Sequence, residues 1–97
     1  MSTLDDAIQL RVEIEFEYDG QPRVVRPAAH GVHKDTGNQV LRGYQIGGRS
    51  NSRQPPLWDL FLVAKIDNLK VTTRTFSDDP PYYSKNDKAM SIISAQL

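Results

Sequence analysis

The 97-residue sequence contains no cysteine, and this absence excludes disulfide bonds and thiolate metal sites. No apolar run approaches the ~20 residues of a membrane-spanning helix, so no membrane partner is expected. The N-terminus has neither the basic start nor the apolar block of a secretory signal. We therefore expect one domain over residues 1–97, located in the reducing cytoplasm.

Acidic and basic side chains are equal in number, twelve of each, but they are unevenly distributed. Residues 1–19 carry six carboxylates against Arg11 alone, whereas residues 20–76 carry nine basic side chains against three acidic ones. A basic middle can attract a small anion, but the zero net charge lacks the overall basicity of a non-specific duplex-DNA binder. A mixed surface that only keeps the protein soluble explains the same distribution.

Alternating apolar and charged residues predict a mainly β protein. Residues 12–19 alternate Val, Ile, Phe and Tyr with Glu and Asp, which is the period of a half-buried strand. About five strands are predicted, over residues 12–19, 22–27, 39–46, 58–64 and 65–73. The strand core then spans residues 12–76, and a tail spans residues 77–97.

Capping-box patterns predict a short helix at each end of the chain. The pattern at Thr3 predicts a helix over Leu4–Arg11, and the pattern at Ser84 predicts a helix over Asn86–Gln96. The second helix would present an apolar stripe, and we expect it to close the barrel. The stripe consists of Met90, Ile93 and Leu97.

Four short motifs, in this order and spacing, resemble the WYL domain, a small SH3/Sm-like β-barrel named for a Trp-Tyr-Leu motif. They are AIxxRVxIxFxY, RVVRP, VLRGYQ and LFLVAKI. Of the naming motif only Leu41 is kept, because Gln39 and Val40 stand where the family has Trp and Tyr. In a later block of the family, Lys65 keeps the charge of an arginine. The resemblance implies an SH3/Sm-like barrel, and with the two helices predicted above we expect a partly open barrel of about five strands flanked by a short N-terminal helix and a C-terminal helix.

The resemblance also implies a ligand class. WYL domains are thought to sense nucleotide or nucleic-acid ligands, usually inside bacterial transcription regulators, and some act in antiphage systems or with CRISPR effectors. In the fuller family a helix-turn-helix precedes the domain, and 97 residues leave no room for one. The chain therefore resembles a divergent, free-standing relative. Its replaced Trp-Tyr pair and arginine mean that the ligand's identity does not carry over.

The candidate ligand site is the loop between the third and fourth strands, together with the side chains beside it. Arg49 and Arg53 flank a Ser-Asn-Ser sequence, and cations beside glycine-freed amides suit a phosphate. Arginine forks and an ammonium would add charge-assisted hydrogen bonds, and aromatic rings would stack a base. The predicted site comprises Arg42, Tyr44, Arg49, Ser50, Ser52, Arg53, Trp58, Lys65 and Tyr82.

Each of these residues also has a purely structural interpretation. Arg42 would point to solvent or be paired internally, since an unpaired buried charge is costly. The loop would be a polar hairpin connection. Trp58 would anchor the core, and Tyr82 would pin the tail to the barrel.

No catalytic or metal-binding residue is predicted. The strand spacing separates the carboxylates of Glu13, Glu15 and Glu17 by about 6–7 Å, as in a solvated row. His30 and His33 would point to opposite faces of a strand. The sequence contains neither a P-loop nor a Gly-x-Ser-x-Gly elbow. We therefore expect a non-enzymatic module without a cofactor.

Two functions remain open on the sequence. The first is a binding module that recognises a phosphorylated ligand, either a nucleotide or a short single-stranded nucleic acid, in bacterial or phage regulation or defence. The second is a protein-protein interaction module without a small ligand, which would form a homo-oligomer through a sheet edge or the C-terminal helix.

Overall fold

The computed structural model describes residues 3–51 and 53–97 of the chain. They form one short helix and six strands: α1 Thr3–Leu10, β1 Val12–Tyr18, β2 Gln21–His33, β3 Gln39–Gly48, β4 Leu57–Leu62, β5 Asp67–Thr75 and β6 Met90–Gln96. A 3₁₀ turn, Val63–Lys65, joins β4 to β5. Among the described residues, no helix has the length and apolar character that crossing a membrane requires.

The N-terminal helix predicted from the sequence is confirmed. Asp5 and Asp6 lie in the first turn of α1, where the helix dipole favours carboxylates. One face of the helix is buried against the sheet, through Leu4, Ala7 and Ile8. Arg11 follows the helix with a positive φ of 54°, so the chain turns there and enters β1.

All six strands are antiparallel and belong to one sheet, which is not closed. The strand order is β4-β3-β2-β1-β5, and β6 also pairs with β2. The length of β2 allows this arrangement: residues 21–25 pair with β1, residues 29–33 pair with β6, and β3 runs along the other edge. A register shift follows Pro27, which has no N–H to donate to a ladder.

The main core lies between α1 and the inward face of the sheet. Its largest fully buried apolar side chains include Ile14, Leu41 and Phe61. Phe61 packs edge-on against Phe16 and Tyr18, with ring centroids 5.1 and 5.0 Å away. Burying a side chain of this size stabilises the fold by about 1.5–3 kcal/mol, so these inward positions supply much of the driving force.

The C-terminal helix predicted over Asn86–Gln96 is wrong, because this segment contains strand β6. Its β-branched Ile92 and Ile93 suit a strand, and β6 completes the ladder of the second half of β2. Met90 does not lie on a helical stripe but packs with Ala29 and Val40 in a second, smaller apolar cluster. The described sheet therefore has six strands instead of about five.

Candidate functional site

The structure distributes the nine predicted site residues over separate places. Arg49, Ser50 and Arg53 line one cavity, which we call the loop cavity. Arg42, Trp58 and Tyr82 line a second cavity, which we call the aromatic pocket. Tyr44 packs beside this pocket, and Lys65 lines neither cavity. Ser52 lies outside the described residues. The loop cavity has a volume of ≈ 380 Å³ and is lined by Gln21, Gly48, Arg49, Ser50, Arg53, Gln54 and Pro55. The aromatic pocket has a volume of ≈ 420 Å³ and is lined by Arg42, Trp58, Tyr82, Tyr83, Ser84, Asp87 and Lys88.

The loop of the loop cavity is attached to its neighbours mainly through backbone carbonyls. The N–H of Arg49 donates to the carbonyl of Pro22 at 2.8 Å. The side-chain amide of Asn51 donates to the carbonyl of Asp19 at 3.3 Å and accepts from Gln21 at 3.1 Å. The guanidinium of Arg53 donates to the carbonyl of Trp58 at 3.0 Å. These bonds hold the backbone of the loop and the guanidinium of Arg53, and in the described residues neither loop arginine forms an ion pair with a carboxylate.

Gly48 is required where β3 enters the loop. Its φ is +81°, and a Cβ at this position would lie 2.1 Å from the carbonyl oxygen of Pro22. A side chain would therefore clash with the backbone of β2 and strain its own. The glycine lets the loop begin in direct contact with β2.

Beneath the loop lies a buried polar pair that the sequence analysis missed. The amide Nε2 of Gln45 donates to the carbonyls of Gly47 and Arg49, at 2.9 and 3.0 Å. Its Oε1 accepts a hydrogen bond from Nη1 of Arg23 at 3.2 Å. Both side chains are on the inward face of the sheet, and Gln45 has no exposed surface. The available signal was a polar residue at a position where strand alternation predicts an apolar one.

The aromatic pocket lies on the outer face of β3 and β4. Tyr44 and Trp58 are direct partners in the β3–β4 register, with ring centroids 5.2 Å apart. Tyr83 also stacks with the indole, with ring centroids 6.4 Å apart, and the indole N–H donates to the carbonyl of Pro81 at 2.7 Å. Trp58 is partly buried and belongs to neither apolar cluster. Tyr82 is 96% exposed, so its ring is accessible to a ligand.

Arg42 binds a carboxylate within the aromatic pocket. Its Nε and Nη2 donate to the two carboxylate oxygens of Asp87, at 2.6 and 3.3 Å. Burial alone would raise the pKa of Asp87, but the hydrogen bonds from Arg42 and from the N–H of Ala89 outweigh it and lower that pKa. The fork of Arg42 is thus engaged by an internal acid, and an external anion would compete with Asp87.

Lys65 is engaged elsewhere. Its ammonium lies 2.7 Å from a carboxylate oxygen of Asp19 and over the ring of Tyr18, 5.1 Å from the centroid. The hydrogen bond with Asp19 raises the pKa of Lys65. Lys65 lines neither the loop cavity nor the aromatic pocket. The structure therefore does not bring it into one cavity with the predicted arginines.

The seven arginines divide into two groups according to their partners. Within residues 3–51 and 53–97, four of them form ion pairs with carboxylates: Arg11, Arg26, Arg42 and Arg74. No carboxylate in the same part of the chain pairs with Arg23, Arg49 or Arg53. Arg23 donates to Gln45, whose amide donates to the carbonyl of Arg49, and Arg53 donates to the carbonyl of Trp58. Two of these three unpaired guanidinium groups, those of Arg49 and Arg53, line the loop cavity.

His30 joins several elements through a polar cluster. Its ring nitrogens contact Asp5 of α1 at 2.7 Å and Gln39 of β3 at 3.1 Å. The hydroxyl of Ser94 in β6 donates to the other oxygen of Asp5 at 2.6 Å. The serine meets the aspartate and not the histidine, so the hydroxyl lacks the base contact of an activated nucleophile. In the described residues, no group of three His, Cys, Asp or Glu could hold a metal ion.

No protein-family model matches the chain. No curated protein and no solved structure matches it either. The class that the geometry defines is a small antiparallel β-sheet protein with a cationic loop cavity and an aromatic pocket on one hairpin.

Proposed function

We propose that the protein is a non-enzymatic binding module for a phosphorylated ligand, and that it is a divergent, free-standing relative of the WYL domain. A strand order of β4-β3-β2-β1-β5, an N-terminal helix and a 3₁₀ turn between β4 and β5 support an Sm-like arrangement. In this proposal β6 is an addition to the five-stranded barrel. The protein would act in the cytoplasm, in bacterial or phage regulation or defence.

The proposal rests on the two arginines of the loop, which form no ion pair with a carboxylate of the described residues. Arg49 and Arg53 line a cavity of ≈ 380 Å³, and no acidic residue of the part of the chain that the structure describes lines it with them. A guanidinium binds a phosphate through short, charge-assisted hydrogen bonds, each worth about 1.5–3 kcal/mol. A phosphate in the loop cavity would provide the counter-charge that the chain itself does not.

The aromatic pocket supplies the second half of the proposal. The exposed ring of Tyr82 and the partly buried indole of Trp58 line the same pocket, and Arg53 links the loop to the backbone of Trp58. Stacking of a base on such rings is worth about 1–3 kcal/mol and tolerates any base. A nucleotide or a short single strand would place its phosphate at the loop and its base on these rings.

A double substitution tests the loop assignment. We expect Arg49→Ala with Arg53→Ala to weaken the binding of ADP and of a short oligothymidylate by about a hundredfold, because two charge-assisted bonds are lost. The affinities are measured by isothermal titration calorimetry. The matched control is Lys34→Ala with Lys85→Ala, which removes two exposed positive charges that line neither cavity.

The control should bind both ligands as the wild-type protein does, apart from a small change in salt dependence. Equal binding by the Arg49/Arg53 variant and the wild type would disprove the loop assignment. A wild-type protein that binds neither ligand would disprove the proposed function.

A second candidate function is self-association through the sheet. One observation favours it: β4 and β5 each pair with a single strand, so each has an edge without a strand partner in the described residues. The other route considered for self-association, a C-terminal helix, is removed by the strand conformation of residues 90–96.

A further inference from the structure

Arg23 is a buried cation with incomplete partners. The residue is 3% exposed, and its guanidinium lies over the rings of Tyr18 and Phe61, 5.5 and 5.9 Å from the centroids. Its Nη2 donates to the carbonyl of Tyr18 at 3.1 Å and its Nη1 donates to Gln45 at 3.2 Å, whereas its buried Nε has no hydrogen-bond partner within residues 3–51 and 53–97. Burying a charge without a counter-charge costs several kcal/mol, so the burial of Arg23 lowers the free energy of unfolding.

Gln45 connects Arg23 to the wall of the loop cavity. The same amide that accepts from Arg23 donates to the carbonyls of Gly47 and Arg49. In a trans peptide the carbonyl and the following N–H point in opposite directions. The bond to the carbonyl of Gly47 therefore turns the N–H of Gly48, which lines the loop cavity, away from Gln45, and the bond to the carbonyl of Arg49 fixes the backbone of the loop.

The charge at this end of the sheet indicates the kind of anion. Arg23, Arg49 and Arg53 pair with no carboxylate of the described residues, and Gln45 links the guanidinium of Arg23 to the backbone carbonyl of Arg49. The nearby Asp19 is already paired with Lys65 at 2.7 Å. A buried charge is poorly screened, so Arg23 adds to the positive potential at the loop although it does not line the cavity. A ligand with one negative charge would neutralise only one of these three guanidinium charges.

We infer that Arg23 and Gln45 form the inner layer of the loop site, and that the site takes a diphosphate or polyphosphate group, as in a nucleoside diphosphate, in preference to a phosphodiester. The inference rests on the proposed function and specifies its ligand class. Arg23 is a positioning residue in this site, because it acts through Gln45 and through its charge. The loop arginines make the direct contact.

Two single substitutions test the inner layer. Arg23→Met removes the charge and keeps an unbranched side chain, whereas Gln45→Glu gives Arg23 a carboxylate and removes both amide donors. We expect each to weaken the binding of inorganic pyrophosphate by about tenfold or more, which corresponds to ~1.4 kcal/mol. Calorimetry measures pyrophosphate and, separately, a short oligothymidylate whose internal phosphates are diesters.

The informative readout is the ratio of the two affinities. We expect the wild-type protein to prefer pyrophosphate, and both variants to lose that preference, because the potential of Arg23 favours the more highly charged ligand. Arg23→Lys keeps the charge without the fork and should recover part of the preference. A purely structural role would lower the thermal midpoint without changing the ratio, and that result would overturn the inference.

Arg26→Met is the matched control. Arg26 is also on β2 and also lies over an aromatic ring, 5.5 Å from the centroid of Phe76, but its Nε is paired with Glu13 at 3.2 Å. This variant should bind pyrophosphate as the wild type does. A control that weakens pyrophosphate binding as much as Arg23→Met does would overturn the inference.

The outcomes also separate the inference from the proposed function. If the wild-type protein binds the oligothymidylate more tightly than pyrophosphate, and the Arg49/Arg53 variant loses that binding, the proposed function stands and the inference is wrong. Unchanged pyrophosphate binding in folded Arg23→Met would overturn the inference as well. If Arg23→Met does not fold, Gln45→Glu decides: retained preference overturns the inference, and lost preference supports it.

Discussion

Arg42 and Asp87 are 45 residues apart in sequence, and their ion pair fixes the C-terminal segment on the outer face of the sheet. The hydrogen bonds from Arg42 and Ala89, opposed by burial, leave the pKa of Asp87 below its ordinary value of 3.8. A lowered carboxyl pKa stabilises the fold at every pH above the unfolded value. This stabilisation is lost as the pH falls below that value and passes through the folded pKa.

Asp87→Asn should therefore change the acid sensitivity of the fold. In the wild-type protein we expect the free energy of unfolding to fall as the pH drops below about 4 and passes through the lowered pKa of Asp87. The variant should be less stable at neutral pH and should show a shallower fall over the same range. Urea unfolding at a series of pH values measures both effects.

Asp79→Asn is the control for this experiment. The carboxylate of Asp79 is paired with Arg11, but the side chains are 51% and 34% exposed, and exposed pairs contribute little to stability. The free energy of unfolding of Asp79→Asn should depend on pH as that of the wild-type protein does. If the free energy of unfolding fell equally steeply with decreasing pH in Asp87→Asn and in the wild type, the proposed stabilisation by the Asp87 carboxylate would be contradicted.

The sequence predicts some of the site residues' positions and not others. Glycine, serine and arginine between two strands indicate the loop, and the hairpin places Tyr44 opposite Trp58. The partner of Arg42 was not predictable, because local patterns do not show where a distant tail returns. Arg23 and Gln45 were missed because both are polar residues on the inward face, where alternation predicts apolar ones.

The pairing of β6 with β2 adds a sixth strand to the five in the order β4-β3-β2-β1-β5. Gly31 of β2 lies opposite Ile93, and the two strands approach closely there. A Cβ on Gly31 would lie 2.1 Å from the carbonyl oxygen of Ile92 and 2.9 Å from the sulfur of Met90. The first of these atoms is backbone, so the whole strand would have to shift.

Gly31→Ala should consequently destabilise the protein by about 1–3 kcal/mol, the usual cost of overpacking. Urea unfolding measures the loss, and hydrogen exchange should show β6 amides opening first. Gly47→Ala is the matched control on β3, because a Cβ there would meet only the side chain of Val24 at 3.5 Å. Equal stability of the two variants would show that β6 does not pair with β2 in this way.

The strand conformation of the C-terminus illustrates what local patterns miss. A capping-box sequence at Ser84 predicted a helix, but Asp87 instead accepts hydrogen bonds from Arg42 and Ala89. The alternation that would have indicated a strand is disturbed, since the β2–β6 register shifts after His30 and after Val32. Where alternation is regular, as in β1, the predicted strand is confirmed.

Taken as a whole, the molecule has a Cα radius of gyration of 12.2 Å, close to the roughly 13 Å of a compact 100-residue domain. In its described sheet β4, β5 and β6 each pair with a single strand, and the two that end the main strand order, β4 and β5, differ in how their outer edges are occupied. On β4, the N–H of Leu60 donates to the carboxylate of Asp59 at 2.8 Å, and that of Leu62 donates to the hydroxyl of Tyr18 at 3.0 Å. Side chains thus occupy donors that a second copy would need.

The exposed edge at β5 is protected differently. The strand is mostly solvent-exposed and polar, and Lys70 places a positive charge on it. Charged residues, lysine above all, discourage edge-to-edge pairing because a neighbouring strand would have to desolvate them. Neither terminal strand therefore has an open, apolar edge that would drive association.

We accordingly expect the ligand-free protein to be a monomer. Multi-angle light scattering at low and high protein concentration, each in low and high salt, should give a molar mass near the 11.0 kDa of one chain. Added pyrophosphate should leave this mass unchanged, because the loop cavity and both sheet edges are formed by different residues. An oligomer that persists in high salt and does not respond to pyrophosphate would contradict this expectation and support self-association through β4 or β5 as the function.

In that event Asp59→Ala, which frees the N–H of Leu60, should strengthen association through β4, and no change in mass would assign the contact to another surface.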